Sequence, residues 1–489
     1  MAFLQPENIP AVVNPGFETG LQGWNTTGVL ETGGHTGSSR LTHKTGVIQT
    51  TQQLENLPDG WYTLRVWLRT NAVPRVAAIT LKDSGSQAKS IPVPQAQEDW
   101  LQVALSAYIT GGNCTISLYS EIEEDGWIAF DDIQLTAGRC ALPIRGADIS
   151  SLKKSEDMGG IYYDKQGKAD DALTILQHHG LNFARLRIWL SSPDGYHGKL
   201  QLLEMAKRFK ALGIGLLVDF HYSDVWADPA KQFKPRAWEN LDFKGLKEAV
   251  YKHTFDVCNA LVLQGTPPEI VQIGNEINHG MLWPDGKNDE GFDRLSALLK
   301  EGVRAVRDSS PESRVMLHIA EGGDNKQFRW WFDAIIRHSV EFDLIGVSYY
   351  SYWHGTLLSL QQNLNDIALR YQKDIIVVET AYPFTLENDD DTQNIFPSSE
   401  IDAYPALPVN GYPVTPAGQK KMLADILSVI RAVPENRGLG FFWWDATWTA
   451  VEGNGWDSAD PTLGNNWENQ ALFDFNDCPL PAMDLFKEA

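Results

Sequence analysis

The sequence predicts a (β/α)8 barrel, the TIM barrel, preceded by an all-β antiparallel sandwich. Two textures predict it. From Ile144 onward, eight continuous apolar strand-like runs alternate with stretches whose apolar residues recur every three or four positions. Before that point, short alternating runs are separated by Gly, Asn and Pro, and no helix-period segment interrupts them. The change falls after TAGRCALPIRGADIS, so the expected division is residues 1–141 for the sandwich and 142–489 for the barrel. A chain of 489 residues is long enough for two to three domains at roughly 150 residues each.

In order, the sandwich runs are GVIQTTQQL, GWYTLRVWLRT, VAAITLKD, WLQVALSAYI, NCTISLYSE and GWIAFDDIQL. The barrel strands are IRGADIS, FARLRIWL, GIGLLVDFHY, EIVQIGNEI, RVMLHIA, FDLIGVSYY, KDIIVVETAY and GLGFFWWDATW. They read as fully buried parallel strands, with helices such as LQLLEMAKRFKAL, DRLSALLKEGVRAVRD and QKKMLADILSVIR between them. A doubly wound sheet would want a glycine-rich phosphate loop after its first strand, and GADIS is not one. Long loops follow strands one, three, seven (383–417) and eight (449–480). On this fold such loops carry the active site at the C-terminal end of the barrel.

Charge removes several function classes. With 41 basic and 63 acidic residues the net charge is −22, and no basic run compensates. Nucleic-acid partners and adsorption to anionic membranes are excluded on this ground. No apolar run reaches 18 residues, so no membrane insertion is expected. The first residues, MAFLQPENIP, have neither the basic start nor the apolar stretch of a signal peptide, although a start methionine can replace a removed leader. Cys114, Cys140, Cys258 and Cys478 form no CxxC pair, which argues against zinc and thioredoxin-like sites and leaves the compartment open. Trp is abundant, 17 against 7 Met, as suits flat apolar ligands with hydroxyl rims such as sugars.

Each barrel strand ends in polar residues. Asp148 ends strand one and Arg185 and Arg187 lie on strand two. Asp219, His221 and Tyr222 end strand three, and Asn275 and Glu276 end strand four. Strand five carries His318 and then Glu321, strand six Tyr349 and Tyr350, strand seven Glu379, and strand eight Trp444 and Asp445. Together they predict a polar mouth above an apolar core. Glu276 and Glu379 each follow an apolar run, where a carboxylate is costly unless pairing or function offsets it. Strands four and seven lie across the ring from one another, so the two would face each other as the acid/base and nucleophile of glycoside hydrolysis. The structural alternative is a salt bridge to Arg185, Arg187 or a loop lysine. The loop ENDDDTQN offers oxygen at alternate positions, Asn388, Asp390, Thr392 and Asn394, as a hard cation needs; a solvated acidic loop is the alternative.

RGADIS, FARLRIWL, DFHYSDVWADP, IGNEIN and VVETAYP together resemble glycoside hydrolase family 53, the endo-β-1,4-galactanases, over nearly all of the second domain. The resemblance implies a retaining endo-hydrolase of β-1,4-galactosidic linkages in galactan, with Glu276 as acid/base and Glu379 as nucleophile. It implies no catalytic cofactor, a structural calcium at Asn388, Asp390 and Asn394, and a secreted or periplasmic, monomeric enzyme. Substrate-binding residues are then Asp148, Arg187, Asp219, His221, Asn275, His318, Tyr349, Tyr350 and Trp444. In that reading Asn275 faces the sugar 2-hydroxyl, Arg187 and one of the two tyrosines hold Glu379, and a sugar ring stacks on Trp444, Trp443 facing outward. NPGFETGLQGW and GWIAFDDIQL resemble β-sandwich carbohydrate-binding modules. This second resemblance implies calcium at Glu18 and Asp132 and sugar platforms among Trp24, Trp61, Trp100 and Trp127.

Other readings remain open at this point. A mannanase, xylanase or arabinan-acting enzyme shares the fold and the two glutamates. A metal-dependent hydrolase could use Asp219, His221, His318 and Asp445, though strand one lacks the HxH that chemistry wants. A non-catalytic lectin would not need both glutamates.

Overall fold

The computed structural model describes residues 12–71, 74–86, 88–93, 99–123, 125–139, 141–396 and 412–488. Cys140 and part of the loop 383–417 lie outside the described residues. The chain divides into two compact units, with the break between Ala141 and Leu142.

The first unit is a sandwich of two antiparallel sheets. Its strands are β1 (Val29–Thr32), β2 (Ser39–His43), β3 (Gly46–Leu54), β4 (Gly60–Thr70), β5 (Val76–Lys82), β6 (Lys89–Pro92), β7 (Leu101–Ile109), β8 (Cys114–Ile122) and β9 (Ile128–Ala137). One sheet has the order β1-β2-β9-β4-β7, the other β3-β8-β5-β6. Period-two alternation sends Leu64, Val66 and Leu68 of β4 into the core with Leu105, Ile116, Leu118 and Phe130. The same alternation leaves Arg65, Trp67 and Arg69 on the outer face.

The second unit is a closed barrel of eight parallel strands, β10 (Ile144–Asp148), β11 (Phe183–Ile188), β12 (Gly215–Phe220), β13 (Ile270–Ile273), β14 (Arg314–Ile319), β15 (Leu344–Ser348), β16 (Asp374–Thr380) and β17 (Gly438–Trp443). They follow one another in chain order, and β17 closes onto β10. The main helices are α1 (Ala172–His178), α2 (Lys199–Leu212), α3 (Phe243–Leu263), α4 (Asp293–Ser309), α5 (Asn325–Arg337), α6 (Leu357–Tyr371) and α7 (Pro416–Arg431). Side chains cap several: Asp171 accepts from Thr174 N–H, Asp242 from Gly245 N–H, and Thr415 from Gly418 N–H one residue before a proline at the first helical position.

Two apolar layers hold the barrel. Outside the strands, residues such as Leu186, Val218, Ile273 and Trp443 pack against the helices. Inside, Ile144, Leu217, Ile270, Met316, Leu344, Ile376, Val378 and Phe442 close the bore. This plug forces the polar residues that follow it on each strand into one layer above it, at the C-terminal mouth.

Candidate active site

The mouth is organised around Arg185. Its side chain rises from the second strand, β11, and is buried. The guanidinium donates to Asp148 Oδ2 at 2.9 Å, to Asp219 Oδ2 and Asn275 Oδ1 at 2.8 Å each, and pairs with Glu379 Oε1 at 2.8 Å. Four strands therefore deliver oxygens to one cation. A buried guanidinium is tolerated only when its charge is matched in this way.

Glu379 lies on the seventh strand, β16, and takes a second bond from the Tyr350 hydroxyl to Oε2 at 3.2 Å. Glu276 lies beyond the fourth strand, which ends at Ile273, in a turn where Gly274 and Glu276 itself have left-handed backbones (φ 85° and 49°). Strain of this kind at a non-glycine residue marks functional sites. One oxygen of Glu276, one of Glu379 and a ring nitrogen of His318 lie within 4.8 Å of one another. Both carboxyls are buried. Burial first, and then the neighbouring Glu379, pushes Glu276 well above the usual carboxylate range. Burial also raises Glu379, to about 7, with Arg185 pulling it down against Asp219 and Asp148. The pair therefore ionises at Glu379 first, and Glu276 keeps its proton.

A cleft of about 490 Å³ opens above the pair. Of the residues expected to bind substrate, Asp148, Arg187, His221, Asn275, Tyr350 and Trp444 line it. Asn275 Nδ2 donates to Ala227 O at 2.8 Å and keeps one amide hydrogen for a ligand. His221 Nε2 lies 2.9 Å from Asp219, while its Nδ1 accepts from Ala227 N–H and Trp189 Nε1. Trp444 packs edge-on against Trp467 at 4.5 Å, with Trp226 and Trp448 beside it, while Trp443 is buried outside the barrel and donates to Gln470 O.

Several expectations are corrected. Arg187 does not hold Glu379: it bonds Asp445 Oδ2 at 2.9 Å, and its guanidinium lies 4.1 Å from the Trp226 ring centroid. Both arginines project from one face of the second strand, and Arg185, one layer deeper, is the one that reaches across the bore. Tyr349 points away from the cleft and donates to Gly355 O, so Tyr350 is the tyrosine on Glu379. Asp219 and His318 lie below the cleft floor. Asp219 accepts from Arg185 and Gln272, and His318 bridges Gln272 Nε2 at 3.0 Å and Ser348 Oγ at 2.8 Å. Among the described residues Asp219, His221, His318 and Asp445 form no common ligand cluster, and Asp219 and Asp445 are each paired with an arginine, Arg185 and Arg187.

Sequence reading missed Trp226, Trp353, Trp448, Trp456 and Trp467, which line the cleft with Asp228, Lys231, Glu321 and His354. The signal was available: most of these tryptophans sit in the long loops after strands three and eight.

The acidic loop after the seventh strand is folded by its own side chains. Asn388 Oδ1 accepts from Asn394 N and Nδ2 and is spent. Asp390 accepts from Thr392 N and Asn465 N. Two buried oxygens nearby, Asn394 Oδ1 and Glu468 Oε2, have no hydrogen-bond partner, and burial lifts Glu468 to about 7. Orphaned oxygens on an all-oxygen donor set fit a hard cation held by Asp390, Asn394 and Glu468, with Asn388 outside the set. In the sandwich, Glu18 and Asp132 both tie down the segment His35–Ser39: Glu18 accepts from Ser38 and Ser39 N–H at 2.8 Å, and Asp132 from Thr36 Oγ1 at 2.7 Å. Trp24 belongs to that core, Trp61 is covered by Arg139, and Trp100 and Trp127 remain on the outer face.

Among the described residues no helix is long and apolar enough to cross a membrane. Residues 144–486 match the family model described as Glycosyl hydrolase family 53. The chain is 42% identical over 351 residues to an uncharacterised protein of Niallia circulans, covering 70% of this chain and 93% of that one. It is 35% identical over 380 residues to an endo-β-1,4-galactanase of Bacillus subtilis, covering 71% and 86%. The solved family 53 catalytic domain of Ignisphaera aggregans superposes with a TM-score of 0.66 at 38% identity, covering 71% of this chain and 95% of that one. With the family model spanning the whole barrel and relatives this similar matched over most of their length, the chain belongs to glycosyl hydrolase family 53.

Proposed function

We propose that the protein is a retaining endo-β-1,4-galactanase acting on galactan and type I arabinogalactan. The observation that carries the reading is the asymmetric carboxyl pair: Glu379 bonded to Arg185 and Tyr350, and Glu276 with a carboxyl oxygen within 4.8 Å of one of Glu379. Retaining enzymes place their carboxyls about 5–5.5 Å apart, and inverting ones about 6.5–9.5 Å apart to admit a water. The galactanase name of the Bacillus subtilis relative supports the choice of sugar.

The ionised Glu379 attacks the anomeric carbon of the galactosyl residue while Glu276 gives its proton to the glycosidic oxygen. The bond to the leaving chain breaks and an α-glycosyl ester forms on Glu379. That ester carries no charge, so the repulsion that kept Glu276 protonated disappears. Glu276, now a carboxylate, takes a proton from water, which attacks the same carbon and releases a β-configured product. Asn275 offers its free amide hydrogen to the 2-hydroxyl, and Trp444 supplies a stacking face in a tryptophan-walled cleft. Release of reducing sugar from galactan, arabinogalactan, mannan, xylan and arabinan, with the anomer followed by NMR, tests the reading. Galactan should be cleaved fastest, internally and with β-product first. Preference for another glycan, or α-product first, overturns it.

A calcium ion held by Asp390, Asn394 and Glu468 is part of the proposal, as a clamp on the loop after the seventh strand and not as a participant in catalysis. Acting on a polymer too large to enter a cell, the enzyme works outside the cytoplasm. The sandwich presents an aromatic row on the outer face of its five-stranded sheet. His35 stacks on Trp67 at 3.8 Å and meets Trp100 edge-on, Arg69 lies between Trp100 and Trp127, and Arg40 covers Trp127. Rings that remain outside a core and are stiffened by cations suit a neutral polysaccharide. Trp100→Ala in the full chain should weaken retention on insoluble galactan; unchanged retention removes the row from the proposal.

A further inference from the structure

Two loops beyond Glu276 form a platform that no step of the mechanism uses. The loop after the third strand lines the cleft with Asp228, Pro229 and Lys231. Its next residue, Gln232, is buried, and its amide donates to the carbonyls of Asn275 at 2.7 Å and Glu276 at 3.4 Å. Gln232 O in turn accepts from Trp283 N–H at 2.6 Å, and Phe233 and Trp283 form an isolated parallel bridge. The Phe233 ring meets the Trp283 ring edge-on at 5.9 Å (88°) and is 62% exposed. Trp283 is fixed by its indole N–H on His279 O at 2.9 Å, and Lys287 Nζ lies 5.1 Å from its ring centroid.

The placement has a direction. Glu276 protonates the oxygen of the departing chain, so that chain lies on the Glu276 side of the cleft and not on the Glu379 side. Asp228 is close enough to add its negative charge to those that raise Glu276, and it lines the cleft five residues before Phe233 on the same loop. Phe233, a large aromatic left exposed against a second ring, thus follows closely on the cleft-lining segment 228–231 and is tied through Gln232 to the turn that carries Glu276. Galactose, with its axial 4-hydroxyl, presents an apolar C3–C4–C5 face that stacks on such a ring, while Asp228 and Lys231 can bond its hydroxyls.

We propose that Phe233 and Trp283, with Asp228 and Lys231, bind the leaving-group side of the galactan chain, as a subsite remote from the bond that breaks. It rests on the galactanase reading above. Binding energy gathered there is used to hold the scissile bond against Glu276, so long chains should be cleaved faster than short ones.

Phe233→Ala tests it, since an exposed side chain is removed without disturbing the core. Cleavage of β-1,4-galacto-oligosaccharides of three to seven units, labelled at the reducing end, is followed together with an aryl galactobioside too short to reach the platform. The expected result is a five- to tenfold fall in kcat/KM on the long chains, little change on the aryl substrate, and a shift of the cut toward the reducing end; Phe233→Trp restores the wild-type pattern. Equal losses on short and long substrates, or an unshifted cut, overturn the platform. Failure of the wild-type protein to cleave galactan at all would overturn the galactanase reading instead, so the two failures are told apart.

Discussion

The guanidinium of Arg185 touches Glu379 and not Glu276, and that difference supports the two roles proposed for them. It also makes the alanine variants behave differently. Glu276→Ala should still form the glycosyl-enzyme from a substrate with a good leaving group, because no acid is needed, and added azide should then give the β-azide. Glu379→Ala opens a hole on the opposite face, so azide should give the α-azide. The same anomer from both variants, read by NMR, contradicts the assignment. Burial of two carboxyls has a stability consequence as well. A carboxyl whose pKa is raised on folding costs nothing below its unfolded value near 4.5 and costs progressively more as pH rises through the folded value. Glu276→Gln removes that cost. Its melting temperature should match wild type at pH 4 and exceed it by several degrees at pH 8; an equal difference at both values rules out the electrostatic origin. The sequence shows the identity of these residues but not their depth. Arg185 and Arg187 share a face, and only the apolar plug beneath them decides which one reaches Glu379. Tyr349 and Tyr350 follow the end of their strand at Ser348, where alternation no longer says which one points inward.

At the scale of elements, long strands and amphipathic helices were legible because their period is set by burial. The six long sandwich strands and all eight barrel strands coincide with runs visible in the sequence. Three sandwich strands were not visible: β1, β2 and β6 have four or five residues each, and β1 buries none of them. A segment that short carries too few alternations to register. Loops were less legible still. The alternating oxygens of ENDDDTQN suggest a cation site or a solvated acidic loop, yet Asn388 serves the backbone, and Glu468, some 80 residues on in sequence, packs its carboxylate against Asn394. No local pattern can report a partner so distant. If Asp390, Asn394 and Glu468 hold calcium, a chelator should lower the melting temperature by several degrees, and calcium, not magnesium, should restore it, with kcat on soluble galactan reduced far less than stability. A melting curve indifferent to chelator would mean that the loop is held by hydrogen bonds alone. Asn394→Asp, which adds a charge to the set, should increase the calcium effect.

At the scale of the whole molecule, the chain joins an enzyme whose site is complete within residues 142–488 to a sandwich with its own core. Every residue of the catalytic network and every residue lining the cleft belongs to the barrel unit. Chemistry on a dissolved chain should therefore not need the sandwich. Chemistry on a solid should, because a second binding surface on the same chain turns encounter with each new bond into a local event at an effective concentration set by the tether. A protein beginning at Leu142 should keep kcat/KM on soluble galactan within about twofold. On insoluble galactan particles it should release sugar several times more slowly at low enzyme concentration, and the gap should close as enzyme is raised, because concentration then replaces tethering. Trp100→Ala in the full chain should reproduce the slow phase without affecting soluble substrate. Loss of soluble activity by a folded truncation would mean that the sandwich contributes to the cleft. Equal rates of the full and truncated proteins on particles would mean that its aromatic row binds something other than the polymer the barrel cuts.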